Sequence, residues 1–358
     1  MNPVNARVCG KSSQPTDLLT RRRILKATGA LAAATFAGPF IRGQDKSDKK
    51  PIIVGSGAHQ FEVQHDWGQL PTRIKYGNTH GVCEDSQGNI YIHHTVGAGS
   101  ESDDTLVVFD ADGKFVRSWG KEFKGSAHGL HIVKEGGAEF LYFCDNGRGV
   151  AQKRDLKGEV VWTKKAPMES GVYGDAGEFH PTNIAIAPNG DFFVSDGYGK
   201  SWIHRYNAKA EYVGTFGGPG KERGQMSCPH GLMVDTRGKQ PELVVADRSN
   251  RRLQYFSLDG RHLRFVTDEL RSPCHFHERE GVLLVPDLEA RVTLFDRENK
   301  LIAHLGDGQN YALRDKPREQ FVAGQFIAPH SAIFDHSGNI FVVEWVEVGR
   351  VTKLKKLA

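Results

Sequence analysis

The stretch HPTNIAIAPNGDFFVSD (residues 180–196) reads as two short strands joined by a tight turn. Ile184-Ala-Ile186 and Phe192-Phe-Val194 are apolar runs of strand length, and Pro188-Asn-Gly190 between them is turn chemistry. An acid, Asp196, closes the second run. The same plan recurs in both directions along the chain. Upstream stand HGVCEDSQGNIYI from His80, and HGLHIV from His128 with LYFCD to Asp145. Downstream stand HGLMVD from His230 with LVVAD to Asp247, Cys274-His275 with LLVPD to Asp287, and HSAIFDHSGNIFVVE over residues 330–344. The unit starts lie 48, 52, 50, 45 and 55 residues apart. Each unit continues into two further strand-like runs, such as RLQYF (252–256) and HLRFV (262–266). Four short strands repeated at this period predict an all-β, six-bladed β-propeller.

The sixth unit stops short of a fourth strand. The only unassigned strand-like segment before His80 is Gln60 to Trp67. Its expected role is to complete the last blade, so that the ring closes without an open sheet edge.

The 358 residues carry a formal charge of +4, but that charge is uneven. Residues 1–44 hold seven bases and the single acid Asp17, so the remainder has 40 bases and 42 acids. A body that close to neutral gives no phosphate-neutralising surface, and nucleic acid is excluded as an expected partner. The only long apolar run is short and N-terminal, which excludes a multi-pass membrane protein. That run, Ala27 to Phe40, follows TRRRILK (residues 20–26) and reads as an export signal. The paired arginines resemble the twin-arginine type, which carries folded cargo. An uncleaved tether and a basic amphipathic anchor helix are the alternatives. Residues 1–44 are thus expected to be a signal, 45–59 a linker and 60–358 the propeller, working in the periplasm or another extracytoplasmic space as a monomer. Cys83, Cys144, Cys228 and Cys274 remain in the body, have no CxxC spacing, and are expected to be mostly buried thiols.

The joint FGGPGKERGQMSCPHGLMVD (216–235) and the run VADRSNRRLQ (245–254) resemble the NHL repeat family. The resemblance covers residues 80–358 and is strongest in units three, four and six.

His80, His128, His180, His230, His275 and His330 each stand just before the first strand of a unit. With 16 histidines in the chain, six at equivalent places is not coincidence. In a propeller those places surround one mouth of the central channel. Two readings compete. Either the rings hydrogen-bond backbone across the channel as repeat architecture, or alternate ones converge on a divalent ion, three imidazoles leaving an open catalytic position.

In this respect the chain resembles the peptidyl-α-hydroxyglycine α-amidating lyase family, six-bladed enzymes with a catalytic zinc on three channel histidines. The family's His-Gly-Leu and two Pro-His openings match His128, Pro229-His230 and Pro329-His330, on alternate blades. Its Ser-Asp-Gly-Tyr run matches residues 195–198, so the resemblance implies that Tyr198 takes the substrate hydroxyl proton. A loop aromatic covering a blade edge is the plain alternative for Tyr198. The family's arginine after the second strand of blade one is His94 here, which offers a hydrogen bond but no fork of charge. The family's aspartate after the last ligand is Ser331, at the place of a structural calcium. A cysteine of the family pattern is Gly199, so that disulfide is absent. His80, His180 and His275 are additional channel ligands by position.

Asp145, Asp196, Asp247, Asp287 and Glu344 recur at second-strand ends and are expected to hold turns, Asp247 with Arg251 for instance. Arg248, Arg251 and Arg252 read as a solvated turn. No Gly-x-Ser-x-Gly elbow, P-loop or HExxH is present. The resulting expectation is an exported, zinc-dependent, lyase-like propeller taking a small molecule or peptide at the channel mouth. The rivals are a non-catalytic propeller binding a protein or glycan, and a propeller hydrolase or lactonase, a class whose metal sites use carboxylates and amides instead. Fold alone does not separate them.

Overall fold

The computed structural model describes residues 50–308 and 310–357, and the export segment read over 1–44 lies outside them. The described chain forms six antiparallel sheets, five of four strands and one of five. Their first strands are Thr79–Glu84, Ala127–Glu135, Asn183–Ile186, Pro229–Asp235, His277–Arg279 and Pro329–Phe334, and these surround the channel. Helical structure among the described residues is limited to single 3-10 turns.

Blade six closes the ring. Arg350–Lys356 is its third strand, and His59–His65 from the other end of the chain pairs with it antiparallel, Val63 opposite Leu354. The expected closing segment therefore does close the blade. Part of the stretch read as linker does more: Ile53–Ser56 pairs with His59–His65 as a fifth, outermost strand. Phe61 on the closing strand is 1% exposed and packs among Leu305, Phe326 and Leu354. Phe61→Ala is expected to cost about 3–5 kcal/mol. Thermal melting would read this as a clearly lowered Tm, and an unchanged Tm would deny the closing strand its part in the core.

Packing follows the two-residue period of the strand. Ile90 and Ile92 face blade six and pack with Phe341 and Val343, whereas Tyr91 between them faces blade two and packs near Leu141 and Phe143. Strands covered on both faces read as nearly continuous apolar runs, and that is why the repeat is so visible in sequence.

The acids at second-strand ends hold the loops that lead into their own blades, as expected. Asp247 accepts the backbone N–H of Ser227 at 2.7 Å, Asp196 that of His180 at 2.7 Å, and Glu344 that of Ile327 at 2.7 Å. The arginine paired with Asp247 is Arg252, at 2.7 Å, rather than Arg251, which bonds Glu289 instead. Arg251 is in a left-handed conformation that carries its side chain away from the blade end.

A β-bulge aims four of the histidines. In blade one Thr79 pairs with His94 and Gly81 with His93, leaving His80 unopposed. The register shifts in the same way across Pro329/Ser331, Ala127/Leu130 and Pro229/Leu232. Each shift inserts one extra residue at the histidine, and a bulge re-aims a side chain that the pleat would otherwise point elsewhere. The glycine after the histidine also has a reason. A Cβ on Gly129 would lie 2.6 Å from Thr182 O, and one on Gly231 would lie 2.4 Å from Cys274 O. The blades approach too closely there for any side chain.

Candidate active site

The bulged histidines of blades one, two, four and six converge at one end of the channel. Their rings are buried. Centroids of His128, His230 and His330 are 4.7–4.9 Å apart. His80 lies 4.6 Å from His330 and 5.0 Å from His128. Ligand nitrogens of His80, His128 and His330 all fall within 4.8 Å of one another, and His230 Nε2 is 3.2 Å from His128 Nε2.

Three of these rings share one arrangement. Nδ1–H of His128 donates to Thr182 O, that of His230 to Cys274 O and that of His330 to His80 O, each at 2.8 Å. A carbonyl at Nδ1 fixes the tautomer and leaves the Nε2 lone pair directed inward. His330 Nε2 is buried with no hydrogen-bond partner, and an orphaned acceptor in such a place is costly unless something binds it. The 3.2 Å between two Nε2 atoms also matches the edge of a tetrahedron with metal–nitrogen bonds of about 2.0–2.1 Å. His80 departs from the pattern, since its Nδ1 is without a partner.

All four rings are held neutral. Burial pushes His128 down to about 3 and holds His80, His230 and His330 well below the ordinary imidazole range. The neighbouring rings and the Arg248 guanidinium reinforce that depression at His230. Unprotonated imidazoles are the form that ligates a metal.

Tyr198 reaches into the same space from the end of the second strand of blade three. Its hydroxyl lies 3.1 Å from both His128 Nε2 and His230 Nε2. Arg248, grouped by its sequence neighbours with a solvated turn, is instead 6% exposed. Both of its terminal nitrogens are 3.5 Å from the Tyr198 hydroxyl, and its NH2 is 3.2 Å from Cys228 Sγ. Burial pushes the Tyr198 phenol above its ordinary range, and the Arg248 charge opposes that shift. Arg248 directly follows the second-strand acid Asp247 of blade four, and Tyr198 stands two residues after Asp196 of blade three, so both leave the second strand at the same end of their blades.

The remaining expected residues are placed elsewhere. His94 is fully buried against Tyr76, with ring centroids 4.9 Å apart, and its Nδ1 accepts the Val96 N–H at 3.0 Å. Its Nε2 is buried without a hydrogen-bond partner, and the ring is near enough to His80 to help depress it. His180 is half-buried and its Nδ1–H donates to Asn146 O at 2.7 Å. His180 stands three residues before the first strand of blade three, Asn183–Ile186, and its backbone N–H is held by Asp196. His275 lies deeper in the channel, 3.4 Å from His131. The four described cysteines are buried thiols, as expected.

No family model matches the chain. It is 29% identical over 232 residues to peptidylglycine alpha-amidating monooxygenase of Rattus norvegicus, covering 57% of this chain and 23% of that one. It is 26% identical over 297 residues to peptidyl-alpha-hydroxyglycine alpha-amidating lyase 1 of Drosophila melanogaster, covering 65% and 53%. It is 25% identical over 207 residues to NHL repeat-containing protein 3 of Homo sapiens, covering 56% and 57%. The matches thus span between a quarter and rather more than half of these relatives' own lengths. Among solved structures, a streptogramin B lyase superposes with a TM-score of 0.56 at 13% identity, covering 84% of this chain and 99% of that one. Virginiamycin B lyase from Staphylococcus aureus superposes with a TM-score of 0.54 at 13% identity, covering 83% and 100%. Those two likenesses concern the fold. No helix among the described residues is long and apolar enough to cross a membrane. The chain is a six-bladed β-propeller whose homologues are peptidyl-α-hydroxyglycine amidating lyases and NHL repeat proteins.

Proposed function

We propose that the protein is a metal-dependent lyase that cleaves the C–N bond of an α-hydroxyglycine-type substrate, releasing an amide and glyoxylate. The observation that carries the reading is the set of three buried imidazoles, His128, His230 and His330, each locked by a backbone carbonyl at Nδ1 with Tyr198 set between two of them. These three residues would hold the ion, with zinc as the expected metal. When bound, a zinc ion supplies a Lewis acid that polarises a carbinol or carbonyl oxygen. Tyr198 accepts the proton of the substrate hydroxyl. As the carbinol C–O bond becomes a carbonyl, the C–N bond breaks and the amide nitrogen takes up a proton. Arg248 favours the phenolate form of Tyr198 by charge and by hydrogen bonds from two nitrogens, against the upward push of burial. The bulges set these groups on rigid strand ends, and the surrounding blades exclude water.

The resemblance of residues 20–26 to a twin-arginine signal supports work in an extracytoplasmic space, and export after folding suits a protein that takes up its ion first. Ser331 offers no carboxylate where the related lyases place one, so the reading includes no structural calcium.

One observation favours a second reading. A His80 nitrogen lies within 4.8 Å of those of His128 and His330. A fourth imidazole would close the coordination sphere, as in structural sites, leaving a propeller that binds a protein or glycan. The assay is direct: zinc-loaded protein is given an N-acyl-α-hydroxyglycine, and glyoxylate and amide are quantified. Equimolar release that stops on chelation is expected. No release from fully loaded protein would overturn the lyase reading and leave the closed site.

A further inference from the structure

A second convergence of ligand atoms lies deeper in the channel and has no part in the chemistry above. His131 follows the bulge of blade two and pairs with Tyr142 of the second strand. Its Nε2 is 2.6 Å from Asn183 Oδ1 of blade three and 3.4 Å from Nε2 of His275. The two imidazoles stack with centroids 4.9 Å apart. Nδ1 of His275 is 3.2 Å from Ser331 Oγ, so that ring is oriented through its far nitrogen and presents Nε2 to His131. His277 stands nearby with its Nδ1 accepting the Phe334 N–H at 3.2 Å. The His275 ring is buried and the His131 ring half-buried, and burial lowers both below the ordinary imidazole range.

Asn183 Oδ1 of blade three and His275 Nε2 of blade five thus both lie within 3.4 Å of His131 Nε2 of blade two. That nitrogen–nitrogen distance is again close to a tetrahedral edge for bonds of about 2.0–2.1 Å. The place is also reachable. A cavity of about 240 Å³ is lined by His131, His275 and His277, and its lining also includes the acids Glu84, Glu278 and Asp335 and the bases Arg279 and His336, the last bonded to Glu84 at 2.6 Å. We propose that His131, His275 and Asn183 form a second divalent-cation site, separate from the one at the histidine mouth. Two imidazoles and one oxygen suit copper, nickel or zinc, and do not suit the all-oxygen preference of calcium and magnesium.

The proposal does not depend on the lyase reading. Full-length protein carrying His128→Ala and His230→Ala removes the first site, and that protein is titrated with Cu²⁺ and Zn²⁺ by calorimetry. One further ion per chain is expected, with Cu²⁺ showing nitrogen superhyperfine splitting in its EPR spectrum. Adding His131→Ala and His275→Ala is expected to abolish both. Because those changes could unfold the channel, Asn183→Asp gives an independent arm. It supplies a charged oxygen at the same place and is expected to tighten binding roughly tenfold or more. Absence of stoichiometric binding in the first variant, or binding indifferent to Asn183→Asp, would show a hydrogen-bonded histidine pair and overturn the proposal.

Discussion

Tyr198→Phe is expected to lower kcat for glyoxylate release by about 10²–10⁴-fold, the usual worth of a positioned general base. KM and bound metal should change little. The substitution removes one oxygen from a buried ring, and the three imidazoles keep their carbonyl partners at Thr182, Cys274 and His80. Stability should therefore be nearly unaffected, and circular dichroism and metal analysis of the variant check this beside the kinetics. If Tyr198 only covers a blade edge, turnover will match the parent protein, and the proton must then be taken by another group.

Arg248→Met is the second large effect. Methionine fills much of the space of the buried guanidinium and leaves the surrounding thiols in apolar contact. The lost charge stood 3.5 Å from the Tyr198 hydroxyl, so kcat should fall by about 10²–10³-fold, as when a preorganised electrostatic donor is removed. The pH dependence carries the sign. Arg248 opposes the upward push of burial on the phenol, so without it the Tyr198 pKa rises further. The limb of the pH–rate profile that reports ionised tyrosine must then move to higher pH. Arg248→Lys should recover part of the rate, because the charge returns without the two-nitrogen fork. A profile that keeps its position after Arg248→Met would make the arginine a packing residue.

Much of this architecture was legible in sequence because a propeller repeats its solution six times. The apolar runs are continuous since each strand is covered on both faces, and the turn residues fall at fixed places between them. The closing strand was legible by default, as Gln60 to Trp67 was the one strand-like segment without a blade. Ile53–Ser56 was not, because its four residues, flanked by charged and glycine-rich sequence, have too little pattern to distinguish them from linker.

The histidine ring was legible in outline and misleading in detail. Of six equivalent positions in sequence, four rings meet at one mouth, those of blades one, two, four and six, whose first strands carry a bulge at the histidine. A bulge is a register event between two strands, and spacing along one strand does not reveal it. His180 stands three residues before its blade's first strand, and His275 lies deeper, beside His131. Arg248 was hidden by its neighbours. Within RSNRR (248–252), Arg251 turns outward to Glu289, Arg252 pairs with the buried Asp247, and Arg248 is drawn in beside Tyr198. His94 shows the converse. Its alignment with an arginine of the related lyases suggested a substrate contact; its Nδ1 is taken by Val96 and its ring packs on Tyr76, while its Nε2 is buried without a hydrogen-bond partner. The charge that His94 lacks is available from Arg248, three blades further round the ring.

The central claim is that His128, His230 and His330 hold a catalytic ion, and metal content tests it most directly. Protein is purified without chelator beside a His128→Ala/His230→Ala variant, and both are analysed by elemental mass spectrometry with their melting temperatures. The account predicts that the variant, still folded, contains one fewer zinc ion per chain than the parent. Equal metal in the two proteins, or a metal-free parent that melts like the zinc-treated one, would contradict it.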